Sequence, residues 1–564
     1  VALFNLIQAL VSDTLASTAG FQGELTLCVT IVLILLLRIP RVTSRIDSFY
    51  VALVGSLVAL YLAGPWHPLG QSSEIFTGLL VNDSFTVYFR TLLFFFAVAF
   101  TIFTRISGVP DRDAAPDVYV LVLGATLGMC IMASANHLLM IFLGVEMASV
   151  PSYALAGLLK GRRQSSEAAL KYAVYGAGAA GIMLYGVSLL AGLLGSVHMP
   201  TMAVRLAELL STQAEHGASG GTNMVLALGG LMIMVGVAFK LSAVPFHFWC
   251  PDVFEGATAE VDAFLSVASK AAALALLVRV AVGFGYIPTP SNEPAAVAVL
   301  NVAEQTAADR AATADSSSQG SAPSAAAESD RAQQLAALAP ARTFTWQLLA
   351  FVAVITCTFG NLAAYGQTNI KRMLAYSTIA QAGYMIMPVP AAMALAGADP
   401  EAARAALGAM AFYAGVYLFM NLGAFAIVAF LRNTLHSEEI AEYGGLIRRS
   451  PLVVICFSII LISLIGLPPF AGFVGKLQIF YYLVQAKLWT VLVIAGLNTA
   501  ISLVYYLRVV KVMTMDPEPE QRVASTMPFI PATYMALVTL PVVILGIWWN
   551  ELAELANSAT RQLF

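Results

Sequence analysis

The chain has 564 residues, of which 59% are hydrophobic and only 11% charged, with a net charge of -3. A soluble protein carries about 25% charged residues and needs a polar coat for every domain, so the soluble class is excluded. The charge balance leaves no basic footprint for nucleic acid, and the five cysteines (Cys28, Cys130, Cys250, Cys357, Cys456) lack zinc or iron–sulfur spacing.

A membrane helix needs about 20 mostly apolar residues. In chain order the predicted spans are 22–39, 48–64, 86–107, 116–135, 137–158, 168–195, 222–247, 261–286, 345–366, 373–394, 405–431, 451–484, 487–511 and 528–549. This pattern predicts an all-α polytopic membrane protein of about fourteen helices. Residues 1–20 read as a shorter interfacial helix and lack the basic start of a cleavable leader.

Loops after odd spans hold Arg38, Arg41, Arg45, Lys160, Arg162, Arg163, Lys371, Arg372, Arg448 and Arg449. Loops after even spans are poorer in cations, and 65–85 has none. The cation bias puts the odd loops in the cytoplasm and both termini on the other side. The loop 248–260 breaks the trend, with Asp252, Glu255 and Glu260 and no cation. Residues 291–340 contain 17 Ala, 7 Ser, no Lys and no aromatic residue. Such a segment buries no core and is expected to be a spacer, disordered or partly helical at its Ala-rich end.

The chain has only eight lysines, and four fall inside apolar helices: Lys171, Lys240, Lys270 and Lys476. Glu146 lies in another. A charge at the bilayer centre costs at least ~2.5–3.5 kcal/mol, which points to function for the central ones. Lys171 could also snorkel at a helix end. Glu24 and Arg279 sit nearer helix ends and read as anchors. Burial disfavours a charged ammonium and a nearby carboxylate restores it, so such a lysine can load and release a proton. Glu146 and Lys171 lie on successive helices of one hairpin, which suggests that they pair. The helices of Lys240 and Lys476 are interrupted, by Pro245 in one and by Pro468, Pro469, Gly472 and Gly475 in the other. Paired broken helices mark transporters built from inverted repeats.

Several stretches are recognisable: SSEAALKY at 165–172, VGVAFKLSAVPFHFWCPDVFEGA at 235–257, FLSVASKAA at 264–272, GNLAAYGQTNIKRMLAYSTIAQAGY at 360–384 and GLIRRSPLVVICFSIILISLIGLPPFAGFVGKLQIF at 445–480. They resemble subunit N (mitochondrial subunit 2) of proton-pumping NADH:quinone oxidoreductase, respiratory complex I. The resemblance runs from about residue 20 to 510.

It implies fourteen helices with two inverted five-helix repeats and discontinuous helices 7 and 12. The corresponding parts are 1–115 (helices 1–3), 116–286 (first repeat), 287–344 (Ala/Ser-rich insert), 345–511 (second repeat) and 512–564 (helix 14 and tail). It implies a proton path through Glu146, Lys171, Lys240, Lys270 and Lys476, with His247 and Gln381 as secondary sites. It places the chain in a bacterial inner membrane, beside an M-like antiporter subunit and K-like and J-like small subunits. NADH, FMN, iron–sulfur clusters and quinone are then expected in partner subunits, with none in this chain.

Two departures stand out. Gln381 replaces a family histidine and cannot titrate. ATAEVDAF after Gly256 carries Glu260 and Asp262 where the family tends to a proline and few charges. The alternative reading is a subunit of a multi-subunit cation/proton antiporter or of a membrane-bound hydrogenase pump.

Overall fold

A computed structural model describes residues 2–39, 46–66, 71–111, 113–159, 161–216, 220–287, 325–519 and 527–564. Arg41, Arg45, Lys160 and most of the Ala/Ser-rich insert lie outside the described residues.

Among the described residues the fold is all-α apart from one small hairpin. The first part comprises α1 (Ala2–Ser17), α2 (Gln22–Leu37), α3 (Ser48–Ala63), the hairpin β1 (Ser73–Ile75) and β2 (Leu80–Asn82), and α4 (Ser84–Ser107). Next come α5 (Ala115–Ser134), α6 (Leu138–Ala156), α7 (Arg163–Leu194), α8 (Met199–His216), α9 (Gly220–Leu241), α10 (Trp249–Gly256) and α11 (Ala259–Gly285). The remainder is α12 (Ala325–Ala337), α13 (Ala339–Ala364), α14 (Ile370–Ile386), α15 (Pro388–Leu395), α16 (Pro400–Leu435), α17 (Pro451–Ile465), α18 (Ala471–Gln485), α19 (Trp489–Met515), α20 (Phe529–Ile547) and α21 (Asn550–Ala559).

Among the described residues, twelve helical stretches are long and apolar enough to cross a bilayer, and the shorter apolar α3 and α17 bring the total near fourteen. The connecting helix α8, the hairpin and α21 were not read from sequence. The helix α12 falls within the part read as insert, at its Ala-rich end, and α13 begins at Ala339.

Local chemistry sets the helix ends. Asp47, Asp83, His137, Thr258, Asn369 and Asp399 each accept a backbone N–H in the first turn of the following helix. Gly108, Gly195 and Gly466 take left-handed conformations that close α4, α7 and α17. Helices α11, α14 and α16 form the buried centre, while α2, α3, α7, α19 and α20 turn large apolar side chains outward. An apolar outer surface is what a lipid-facing helix shows.

Two helices are interrupted. After Leu241 the chain leaves the helix through Ser242 at φ 56 and restarts at Trp249. Trp249 Nε1 donates to the Phe239 carbonyl at 3.0 Å and stitches the two halves together. After Ile465 the chain turns through Gly466 and the Pro468–Pro469 pair, and α18 starts at Ala471. Proline supplies no N–H, so neither break can be bridged by the ordinary ladder. At Gly472 a Cβ would stand 1.9 Å from the Ser463 carbonyl, so only glycine lets the halves meet.

Two charges read as anchors are buried ion pairs. Glu24 meets Arg90 Nε at 2.7 Å between α2 and α4. Arg279 grips Asp83 with two bonds of 2.7 and 2.6 Å and also donates to Thr86 and the Ala133 carbonyl. Burial pushes the Asp83 carboxyl up, but Arg279 and Thr86 outweigh it and hold the group below the ordinary carboxylate range. Thus α11 is tied at its C-terminal end to α4 and α5.

Candidate functional site

Lys240, Lys270 and Lys476 are each buried to 2% exposure or less. Lys240 ends α9 and donates to the Ser149 hydroxyl of α6 at 3.0 Å. Lys270 lies midway along α11 and donates to the Thr378 carbonyl of α14 at 3.0 Å. Lys476 lies in the second half of the later broken helix. Its ammonium donates to the Leu464 and Ile465 carbonyls at 3.0 and 2.9 Å and sits 4.1 Å over the Tyr384 ring. The break exposes those carbonyls, because residues beyond it cannot supply the missing N–H groups.

The helix α14 joins two of these sites. Three residues beyond Thr378, Gln381 donates through Nε2 to the same Leu464 carbonyl at 2.8 Å. Its Oε1 accepts from the Tyr413 hydroxyl at 2.7 Å, and Nε2 also reaches Tyr506 Oη at 3.4 Å. Asn421 donates to Thr378 Oγ1 at 3.4 Å and to Tyr417 Oη at 2.6 Å. Two hydrogen-bonded polar clusters one helical turn apart on α14 therefore lie between Lys270 and Lys476, inside an otherwise apolar core. Ser149, Thr378, Tyr384 and Tyr413 were missed in the sequence, where each is an ordinary residue of an apolar helix.

Glu146 is half-buried on α6 and interacts electrostatically with Lys240. The expected pairing of Glu146 with Lys171 is corrected here. Lys171 instead bonds Asp252 at 2.7 Å and Glu167 at 3.0 Å, with its side chain 36% exposed. The physical reason is helix geometry: Ser165, Ala168, Tyr172 and Gly176 form the inward stripe of α7. Lys171 lies about 100° round from Tyr172, off that stripe.

Asp252 also accepts from Arg372 at 3.2 Å, and Arg372 binds Glu255 as well. The acidic stretch 248–260 is thus no exposed loop. It holds α10, whose acids bind cations brought by α7 and α14. Lys371 joins Glu438 at 3.0 Å and the Ala257 carbonyl at 2.8 Å. These groups gather at one end of the bundle, the Lys371 end. At the opposite, Arg279 end, Glu74 accepts from Asn136 at 2.9 Å and meets His198 at 3.1 Å. A cavity of about 540 Å³ there is lined by Glu74, Asp83, Asn136, Arg279 and Arg404.

His247 lies in the first helix break, buried against Phe248 and Phe359, both with ring centroids 4.3 Å away. Among the described residues, no group of three or more His, Cys, Asp or Glu side chains could hold a metal.

The transmembrane family described as NADH:quinone oxidoreductase/Mrp antiporter matches residues 135–302 and 332–502. The chain is 34% identical over 575 residues to NADH-quinone oxidoreductase subunit N of Anaeromyxobacter sp. (strain Fw109-5), covering 98% of each chain. It superposes on a chain of respiratory complex I from Thermus thermophilus with a TM-score of 0.68 at 28% identity, over 94% of this chain and 98% of that one. A chain of the Mrp complex from Dietzia sp. DQ12-45-1b shares the fold, with a TM-score of 0.66 at 18% identity over 100% and 96%. With identity sustained over the whole length, the chain belongs to the family of antiporter-like membrane subunits of NADH:quinone oxidoreductase, on its subunit N branch.

Proposed function

We propose that this chain moves protons across a bacterial inner membrane as a non-redox subunit of complex I. Quinone reduction elsewhere in the complex drives the protons along Glu146, Lys240, Lys270 and Lys476. NADH, FMN, iron–sulfur clusters and quinone belong to its partners, and its neighbours are the M-like, K-like and J-like subunits. The Lys371 end faces the cytoplasm, and both termini lie on the other side.

One contrast carries the reading. Arg90, Arg279 and Lys371 are buried and each meets a carboxylate. Lys240, Lys270 and Lys476 are buried too, yet their hydrogen bonds go to neutral oxygens. A paired buried cation is held charged and serves structure. A buried lysine on neutral acceptors gives up its proton at much smaller cost, and its neutral amine still fits the site. Lys171 is paired twice and belongs to the ionic lattice at the Lys371 end.

The test uses assembled complex in proteoliposomes, with Lys240→Ala, Lys270→Ala and Lys476→Ala compared for NADH oxidation and proton uptake. Each should lose coupled pumping with assembly intact. Normal pumping by assembled Lys240→Ala overturns the route. Na⁺-coupled transport independent of NADH would instead identify the antiporter alternative.

A further inference from the structure

The first turn of α11 carries two acids that the lysine route does not use. Glu260 is 1% exposed and Asp262 0%. None of their four carboxylate oxygens has a hydrogen-bond partner among the described residues. The acids just before them in sequence differ sharply, because Asp252 and Glu255 are ion-paired with Lys171 and Arg372. Asp262 feels the charges of Lys371, Glu438, Glu260 and Arg432. Lys371 is already engaged by Glu438 and the Ala257 carbonyl, so it is no dedicated partner.

Acids are favoured at a helix N-terminus. That preference explains one turn of negative charge and does not explain four buried oxygens without a donor. Burial without a donor makes an ionised carboxylate costly, and here two such groups fall in one helical turn. Orphaned buried polar groups of this kind mark unplaced water, an ion or a chemical role.

The register gives the direction. Asp262, Ser266 and Lys270 stand at i, i+4 and i+8 on one face of α11, about 12 Å from first to last along the axis. The Ser269 hydroxyl beside them is buried and also without a partner. Across from them, Cys250 of α10 interacts electrostatically with both Asp262 and Lys270. The Ser266 hydroxyl donates to the Ala263 carbonyl at 3.1 Å, so it and the unpartnered Ser269 hydroxyl give the stretch between Asp262 and Lys270 a polar lining suited to bridging water.

We propose that Glu260 and Asp262 form a proton-loading site that supplies Lys270 from the Lys371 end of the bundle. This rests on the lysine route proposed above. A hydronium ion at that end gives up one O–H bond, leaving water, as one carboxylate forms an O–H bond with the released proton. That carboxyl O–H bond then breaks, and the proton passes through bridging water to the neutral Lys270 amine. The carboxylate is restored and one positive charge has advanced.

The test compares assembled complex in proteoliposomes bearing the double variant Glu260→Gln/Asp262→Asn, the single variant Asp262→Glu, and Lys270→Ala. Proton uptake per NADH oxidised and the solvent deuterium isotope effect are measured. The double variant should slow coupled pumping at least about tenfold, as loss of a proton-transfer group does, and enlarge the isotope effect. Asp262→Glu should retain most of the rate, which a purely packing role would not allow. Should the double variant fail to assemble, Glu260→Gln and Asp262→Asn singly decide by the same criterion. Wild-type pumping by the amide variants, with Lys270→Ala inactive, overturns the loading site and leaves the lysine route standing. Wild-type pumping by Lys270→Ala overturns both.

Discussion

The Lys240 ammonium rests on the Ser149 hydroxyl at 3.0 Å, one turn along α6 from Glu146. Glu146 is therefore the carboxylate that modulates Lys240, while Lys171 answers to Asp252 and Glu167. Glu146→Gln removes that charge and should lower coupled turnover by about tenfold or more, in the range of lost acid–base groups. Glu146→Asp should be milder. Lys171→Ala should cost less than Glu146→Gln, because Arg372 still holds Asp252. Proton uptake by vesicles containing each assembled variant checks the order. Equal losses for Lys171→Ala and Glu146→Gln would return Lys171 to the route.

How far this was legible in the sequence is clear from the same residues. Scarcity made the lysines visible, since an ammonium in the middle of an apolar helix is too costly to be mere decoration. The glycines and prolines marked both breaks. Partners were hidden because they are long-range: Ser149 and Lys240 are 91 residues apart, Thr378 and Lys270 108. Adjacent helices in a hairpin do not make their charges adjacent, because facing depends on a rotation of about 100° per residue. That is why Lys171 was matched to the wrong carboxylate. The acids of α10 looked like an unusual loop because their cations come from α7 and α14.

The Arg279–Asp83 clamp predicts a stability effect separate from transport. Breaking a buried pair leaves one uncompensated charge and costs about 3–5 kcal/mol. Arg279→Leu and Asp83→Asn should each deplete assembled complex in the membrane. Arg279→Lys should rescue poorly, since an ammonium cannot form the two-point fork and also reach Thr86 and the Ala133 carbonyl. Blue-native gels of the three variants measure this directly; full assembly of Arg279→Lys would show that charge alone suffices.

Gly475 tests the link between the later helix break and the polar cluster at Gln381. A Cβ there would lie 2.2 Å from the Tyr413 ring, whose hydroxyl donates to Gln381. Gly475→Ala must displace that ring and release Gln381 Oε1. Pumping should fall while NADH oxidation by the peripheral subunits persists with artificial acceptors. If Gly475→Ala pumps normally, the Tyr413–Gln381 bond is dispensable.

Gln381 is 1% exposed, so both ends of its amide need partners inside the protein. The structure supplies protein groups at both ends of its amide: Leu464 and Tyr506 at Nε2, Tyr413 at Oε1. Leu464 is the carbonyl that Lys476 also uses, so Gln381 helps fix the acceptor of that buried ammonium. Gln381→Leu leaves the Tyr413 hydroxyl without its acceptor and should cost roughly 1–3 kcal/mol in stability. Histidine at this position offers one N–H donor for Leu464 and one ring nitrogen as acceptor for Tyr413. Gln381→His should therefore stay close to wild type in melting temperature and pumping. A double-mutant cycle with Tyr413→Phe separates the Tyr413 bond from loss of the polar lining. If the two losses in stability add without coupling while Gln381→Leu still slows pumping, the polar lining matters and the bond does not. If Gln381→Leu matches wild type in both melting and pumping, Lys476 holds its carbonyls unaided.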